Sequence, residues 1–255
     1  MHLVHSMLDR KTVEQFFPRK STFFVTILRN TTAQWVSIFR YFQIGTKVWL
    51  DTSESSMRLF ISNYGNYGRN NKTPVYLGKN PNFCDMGFHD EELASDSAIE
   101  SSIKVVDKMF DLVMISELWE KSLLILKNKL DLSFDDISVF NSNVQLIPDS
   151  YVPPDLDKQI REFNKADYKL YQYFYEKLMN SSKQLNQRDF SRLRKRTKFW
   201  KETCIGGRKL QVSYGTRKYL GYKAKDNIPQ KYQEDCKRMI YSEIDFVKKF
   251  RTMMA

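Results

Sequence analysis

Arg29 and Ser37, eight positions apart, are the residues whose types and spacing most readily do chemistry in this chain. Arg29 closes the apolar run Thr22-Phe-Phe-Val-Thr-Ile-Leu28, whose β-branched and aromatic residues predict a buried strand. Asn30 or the threonines after it can cap a helix over 33–42, with Trp35, Ile38, Phe39 and Phe42 on one apolar face. An arginine at the carboxyl end of a strand, followed by a helix whose first turns offer a serine, makes an anion site. The guanidinium fork matches a phosphate, and the helix start adds oriented N–H groups and the positive end of its dipole. The same spacing fits an ordinary helix-facing arginine and a buried helical serine, and spacing alone leaves both readings open.

The other reactive side chains are sparse. His2, His5 and His89 are the only histidines, and Cys84, Cys204 and Cys236 have no C-x-x-C spacing, so no metal site is expected.

A second strand is expected over Phe110–Ser116, feeding a helix over Glu117–Leu130. Two strand-then-helix units predict an α/β fold with a parallel sheet. Residues 52–100 read as loop with short helices. The breaker-rich Leu146–Asp155 is the candidate subdomain joint within a single domain spanning 1–255. Beyond it the pattern predicts helices over Leu156–Met179 and Asn186–Cys204, a basic loop over Gly206–Lys225 and a closing helix over Pro229–Met254.

The chain has 255 residues, 42% hydrophobic and 14% aromatic, a globular composition. Lys and Arg number 41 against 30 Asp and Glu, a net +11, which favours anionic partners: nucleic acid, phosphate- or sulfate-bearing nucleotides, acidic glycans or an anionic membrane face. No RNP, KH or zinc pattern supports nucleic acid. No apolar run approaches membrane-spanning length, and the first residues lack the apolar stretch of a signal peptide.

The segment FVTILRNTTAQWVSIFRYF (Phe24–Phe42) resembles the 3′-phosphate-binding segment of sulfotransferases that use 3′-phosphoadenosine-5′-phosphosulfate (PAPS). The likeness is to the galactose-3-O-sulfotransferase family, the galactosylceramide sulfotransferase group, with its strand, LR-[DN]-P and F-x-YF pattern. It continues, in order, at Asn80–Phe88, at Phe110–Leu130, at Thr203–Gly207, at Gly215–Tyr222 and at Cys236–Ile244. Thr31 stands where the family usually has proline at the first helical position, and it is compatible with a helix start.

What the resemblance implies is a P-loop-like sulfotransferase fold with a helical C-terminal part, shortened at its N-terminus. Arg29 and Ser37 would hold the 3′-phosphate of PAPS, the co-substrate, and no metal would take part. His5, in a segment similar to the family's H-x-R-F-N stretch, would be the base for the sugar hydroxyl, although Met7 and Leu8 replace the usual Arg-Phe. Arg217, or Lys218, in the basic loop would reach a phosphate. Glu117 matches a family glutamate, with acceptor contact and helix capping both open. Cys204 and Cys236 fall on family cysteines; they would pair in a Golgi lumen and stay reduced in cytosol. Of the sequons at Asn30, Asn71 and Asn180, the last two are plausible glycosylation sites in a lumenal protein.

The expected acceptor is a galactose-terminated glycolipid or glycoprotein glycan, sulfated at the 3-OH, with the protein on the lumenal face of the Golgi membrane. The family's Lys- and Ser/Thr-rich 5′-phosphosulfate loop and its membrane anchor are not found in this sequence. The chain is therefore expected to begin after both, to lack membrane association of its own and to be a poor catalyst alone. The alternative is a nucleotide- or glycan-binding module without turnover.

Overall fold

In a computed structural model, residues 10–67, 77–140, 151–212 and 218–254 are described. The chain is mixed α/β and mostly helical. It divides into two compact units, Met1–Ser122 with Tyr151–Lys183, and Leu123–Ser150 with Gln184–Ala255. Residues 141–150, which carry much of the expected joint, lie outside the described residues.

The first unit begins with α1 (Arg10–Phe16) and β1 (Val25–Leu28). It continues through α2 (Thr31–Tyr41), α3 (Glu54–Ser62), α4 (Pro81–Asp85) and α5 (Asp96–Met109) to β2 (Leu112–Ile115). β1 and β2 pair in parallel, Val25 opposite Leu112 and Leu28 opposite Ile115. Asp111 fixes where the pair starts: its carboxylate accepts from the Phe24 N–H at 2.7 Å and from both terminal nitrogens of Arg19. All four β2 residues are buried, as the apolar run predicts. β1 corrects the expectation of a buried strand, because Val25 and Ile27 are 44% and 50% exposed on one face. An apolar run shows that a strand is able to be covered on both faces, not that it is.

The core of this unit is built on α2. Its buried face, Trp35, Val36 and Phe39, meets Met57 and Phe60 of α3 and Leu156 and Ile160 of α7 (Pro154–Phe163). The Trp35 indole N–H donates to the Gly78 carbonyl at 2.7 Å, so the one polar atom of that ring is satisfied inside the core. A side chain at Gly78 would run into the Phe60 ring, 2.6 Å from a built Cβ, which explains a glycine here.

The single helix expected over Leu156–Met179 is two helices, α7 and α8 (Lys165–Ser182). Asn164 makes the break. Fully buried, it donates from its side chain to the Ile160 carbonyl and accepts from the Asn80 N–H at 2.8 Å. An asparagine whose amide is saturated by neighbouring backbone favours a helix end over a helix interior. The apolar period runs on across it, so the pattern alone does not show the break.

Asp167 of α8 is the centre of a buried polar knot. Its carboxylate accepts from the Asn82 N–H at 2.8 Å and the Phe83 N–H at 3.1 Å, at the start of α4, while its own N–H donates to the Asn80 side chain. Its main-chain carbonyl accepts from the Thr31 hydroxyl, and Asn82 exchanges amide hydrogen bonds with Gln34 of α2. Three helices distant in sequence are thereby fixed to one another around the start of α2. Burial pushes the Asp167 carboxyl up to about 7 against the pull of these donors.

The second unit takes up the chain within α6 (Trp119–Leu130) and continues with α9 (Gln187–Cys204), β3 (Ile205–Val212), β4 (Lys218–Ala224), α10 (Gln233–Ile240) and α11 (Glu243–Met254). Trp200, Cys204 and Cys236 form its buried centre, with Phe140, Phe199, Ile205 and Tyr232 packed around them. Asp135 accepts from Arg196 through two bonds and from the Trp200 indole at 2.8 Å. Cys204 and Cys236 are joined by a disulfide, their Cα atoms 5.0 Å apart. Cys84 remains a thiol in the first unit, pushed up to about 11 chiefly by burial.

Two expectations are corrected in this unit. Of the basic loop over Gly206–Lys225, the described residues form two antiparallel paired strands, Leu210 opposite Leu220 and Arg208 opposite Tyr222. Its cations read as a solvated loop, but Leu210, Leu220 and Tyr222 place apolar residues at even positions along paired strands. The closing helix over Pro229–Met254 is interrupted between α10 and α11. Ser242 and Asp245 make a reciprocal cap there: the Asp245 carboxylate accepts from the Ser242 N–H at 2.9 Å, and the Ser242 hydroxyl accepts from the Asp245 N–H. The S-x-x-D spacing of a capping box is present in the sequence and marks this start.

Candidate functional site

The carboxyl ends of β1 and β2 lie side by side, and the residues leaving them build the candidate site. β1 stops at Leu28, Arg29 follows, and Asn30 caps α2 by accepting from the Ala33 N–H at 3.1 Å. Thr31, in the place usually held by proline, starts the helix two residues before the expected boundary and is buried. Thr32 donates to Asp157, which also binds Arg161. The start of α2 is thus held from below by α7 and α8.

Glu117 ties the two strand ends together. It lies in the single 3-10 turn Ser116–Leu118 after β2, and its carboxylate accepts from the Asn30 N–H at 2.8 Å. Its other oxygen accepts from the Tyr171 hydroxyl of α8 at 3.2 Å. Burial and the adjacent Glu117 charge push the Tyr171 phenol above its ordinary value, so it stays a donor. Ser122 closes the turn from the β2 side, bridging the N–H and carbonyl of Ile115. Sequence reasoning found Glu117 but not Tyr171, whose partner is 54 positions away.

Arg29 and Ser37 are both half-buried, Arg29 at the strand end and Ser37 in the second turn of α2. Along α2 the core takes Trp35, Val36 and Phe39, whereas Ala33, Ser37 and Arg40 follow one another at helical spacing on another face. The side chain of Ser37 therefore belongs to the face that the core leaves over. His5 and Arg217 lie outside the described residues, as does Asn71. Asn180 is exposed in the last turn of α8. Among the described residues no group of His, Cys, Asp and Glu could hold a metal ion, and no helix is long and apolar enough to cross a membrane.

A parallel strand pair with an arginine and a helix N-terminus at its carboxyl edge is the arrangement in which α/β proteins place their ligands. The sequence model of the family described as Galactose-3-O-sulfotransferase matches residues 2–254, and the chain belongs to that family. It is similar to galactosylceramide sulfotransferase of Homo sapiens, 25% identical over 245 residues, covering 88% of this chain and 57% of that protein. Galactose-3-O-sulfotransferase 3 of Homo sapiens is 28% identical over 174 residues, covering 67% of this chain and 40% of its own length. Galactose-3-O-sulfotransferase 2 of Sus scrofa is 23% identical over 268 residues, covering 97% and 66%. The chain spans little more than half the length of the galactosylceramide sulfotransferases it matches. No solved structure matches it.

Proposed function

We propose that the chain is the part of a PAPS-dependent galactose 3-O-sulfotransferase that holds the 3′-phosphate of the nucleotide and faces the acceptor. The observation that carries this reading is that the family match runs through a strand–helix junction with Arg29 at the carboxyl end of β1 and α2 starting one residue later. In this reading the fold is P-loop-like, Arg29 and Ser37 bind the 3′-phosphate, and Arg217 lies against a nucleotide phosphate. PAPS, when bound, supplies the sulfuryl group. The galactose 3-hydroxyl oxygen attacks sulfur in line, the bond from sulfur to the 5′-phosphate oxygen breaks, and the hydroxyl proton passes to His5. The acceptor is a galactose-terminated glycolipid or glycan, and the compartment is the Golgi lumen, in keeping with the disulfide between Cys204 and Cys236.

Calorimetry with two ligands tests the site. Arg29→Ala is expected to weaken 3′-phosphoadenosine-5′-phosphate binding by about 10- to 150-fold, the worth of a charge-assisted hydrogen bond, and to leave adenosine-5′-phosphate nearly unchanged. Equal losses for the two ligands remove Arg29 from the 3′-phosphate.

A further inference from the structure

The net charge of the chain is carried almost entirely by the second unit. Residues 123–150 and 184–255 contain 21 Lys and Arg against 11 Asp and Glu, a net +10, whereas the first unit has 20 against 19. Within that charge lies an uncovered apolar face. On α11, Phe246, Val247, Phe250 and Met253 are 36%, 38%, 48% and 72% exposed. At 100° per residue these four fall within about a third of the helix circumference, a single stripe. Phe246 and Phe250 stack along it with ring centroids 6.3 Å apart.

A cation borders the stripe on each side, while Glu243, the first residue of the helix, falls within the same arc one turn before it. Arg251 borders it on one side and Lys249 on the other, and Lys248 lies on the far face, exposed. Lys249 is anchored to Glu234 of α10 at 3.4 Å and lies over the Tyr241 ring, which fixes the helix within its unit and leaves the stripe outward. The hairpin adds to the same character. Leu210 is 54% exposed, the Arg208 guanidinium two residues before it lies over the Tyr222 ring, and Lys209 is close enough to Asp245 in the first turn of α11 to favour its charge.

We infer that α11 is an interfacial helix that lays its Phe246–Met253 stripe into an anionic phospholipid surface. Charge complementarity chooses this occupant. A helix of this kind sinks its apolar face to the level of the acyl boundary while cations at the edges of the face meet the headgroups. A second copy of the chain is a poorer partner, because two-fold pairing of the stripe would bring Arg251 and Lys249 of two +10 units against each other. The inference stands on unit two alone and does not depend on the reading of Arg29 and Ser37.

Flotation of the full chain with vesicles tests it. The chain is expected to bind vesicles of phosphatidylcholine with phosphatidylserine, to leave vesicles of phosphatidylcholine alone largely unbound, and to be released by salt. Phe250→Asp replaces half-exposed apolar surface by a charge that the membrane repels, and should weaken binding by about tenfold or more. Arg251→Glu should weaken it by a similar factor, about one kilocalorie per basic residue being lost and then reversed. Met253→Glu, at the most exposed position of the stripe, gives a variant whose folding is not in question; circular dichroism checks all three. Equal binding to neutral and anionic vesicles, or undiminished binding by Phe250→Asp and Met253→Glu, overturns the inference. So does a concentration-dependent dimer abolished by Phe250→Asp in a chain that ignores vesicles.

Discussion

Removing the Asp167 carboxylate should destabilise the first unit by an amount that depends on pH in a direction fixed by its surroundings. Asp167 is fully buried and holds two backbone N–H groups at the start of α4, at 2.8 and 3.1 Å. Asp167→Asn keeps one acceptor oxygen but puts an NH₂, which cannot accept, where the carboxyl, ionised or protonated, has a second oxygen with a lone pair, leaving a buried N–H unpaired. That loss costs roughly 1–3 kcal/mol. Against it stands the cost of the carboxyl itself. Its titration is raised from 3.8 unfolded to about 7 in the fold, so the folded state holds a proton that the unfolded state releases between those values. Stability from this group is therefore fully present below pH 4 and is lost as pH rises through 7.

At about 1.36 kcal/mol per pH unit, the wild type gives up on the order of 2–3 kcal/mol between pH 5 and pH 8 that Asp167→Asn does not. Groups held low, such as Asp51 at about 2 through its hydrogen bonds from Ser53 and Ser56, act in both proteins and cancel in the difference. Urea midpoints of the two proteins at pH 5, 6.5 and 8 provide the measurement. The destabilisation by Asp167→Asn should be largest at pH 5 and shrink toward pH 8. A difference that is flat with pH, or that grows with it, refutes the assignment of a burial-raised carboxyl.

Phe60 lies against Trp35, Phe39 and Tyr67 with no exposed surface, and Phe60→Ala should cost about 3–5 kcal/mol in urea unfolding with loss of near-ultraviolet dichroism. Cys204→Ser should destabilise the second unit by roughly 3–4 kcal/mol, since the bond closes a loop of 32 residues; the wild type with reductant should match it. Within the proposed function, His5→Ala should lower sulfuryl transfer to a galactoside by roughly 10²–10⁴ at nearly unchanged nucleotide affinity, and unimpaired transfer would remove His5 from the mechanism.

Local pattern made the two parallel strands and the helices after them legible, because each carries its own period. Leu112–Ile115 is an apolar run flanked by polar residues, and α2 repeats its large side chains every three to four positions. What local pattern hid are the places where one residue overrides the period. Asn164 breaks a helix whose apolar face continues past it, and Ser242 with Asp245 starts a helix inside what reads as one. The hairpin was hidden differently. Its cations dominate the composition of 206–225, and charge says nothing about whether a backbone is paired. Thr22–Leu28 shows the converse limit, since its apolar residues mark a strand without telling that Val25 and Ile27 stay half exposed.

The site was legible only on one side. Arg29, Ser37 and Glu117 stand next to strand or helix signals that announce them, but the residue that completes the geometry comes from α8. Glu117 was open between acceptor contact and capping, and its observed bond ties it to the N–H of Asn30, the residue that caps α2. Here one oxygen is taken by a backbone dipole and the other by the Tyr171 hydroxyl, which its raised titration keeps protonated. Through the Asn30 N–H this carboxylate fixes the residue that caps α2, at the strand end where Arg29 follows β1.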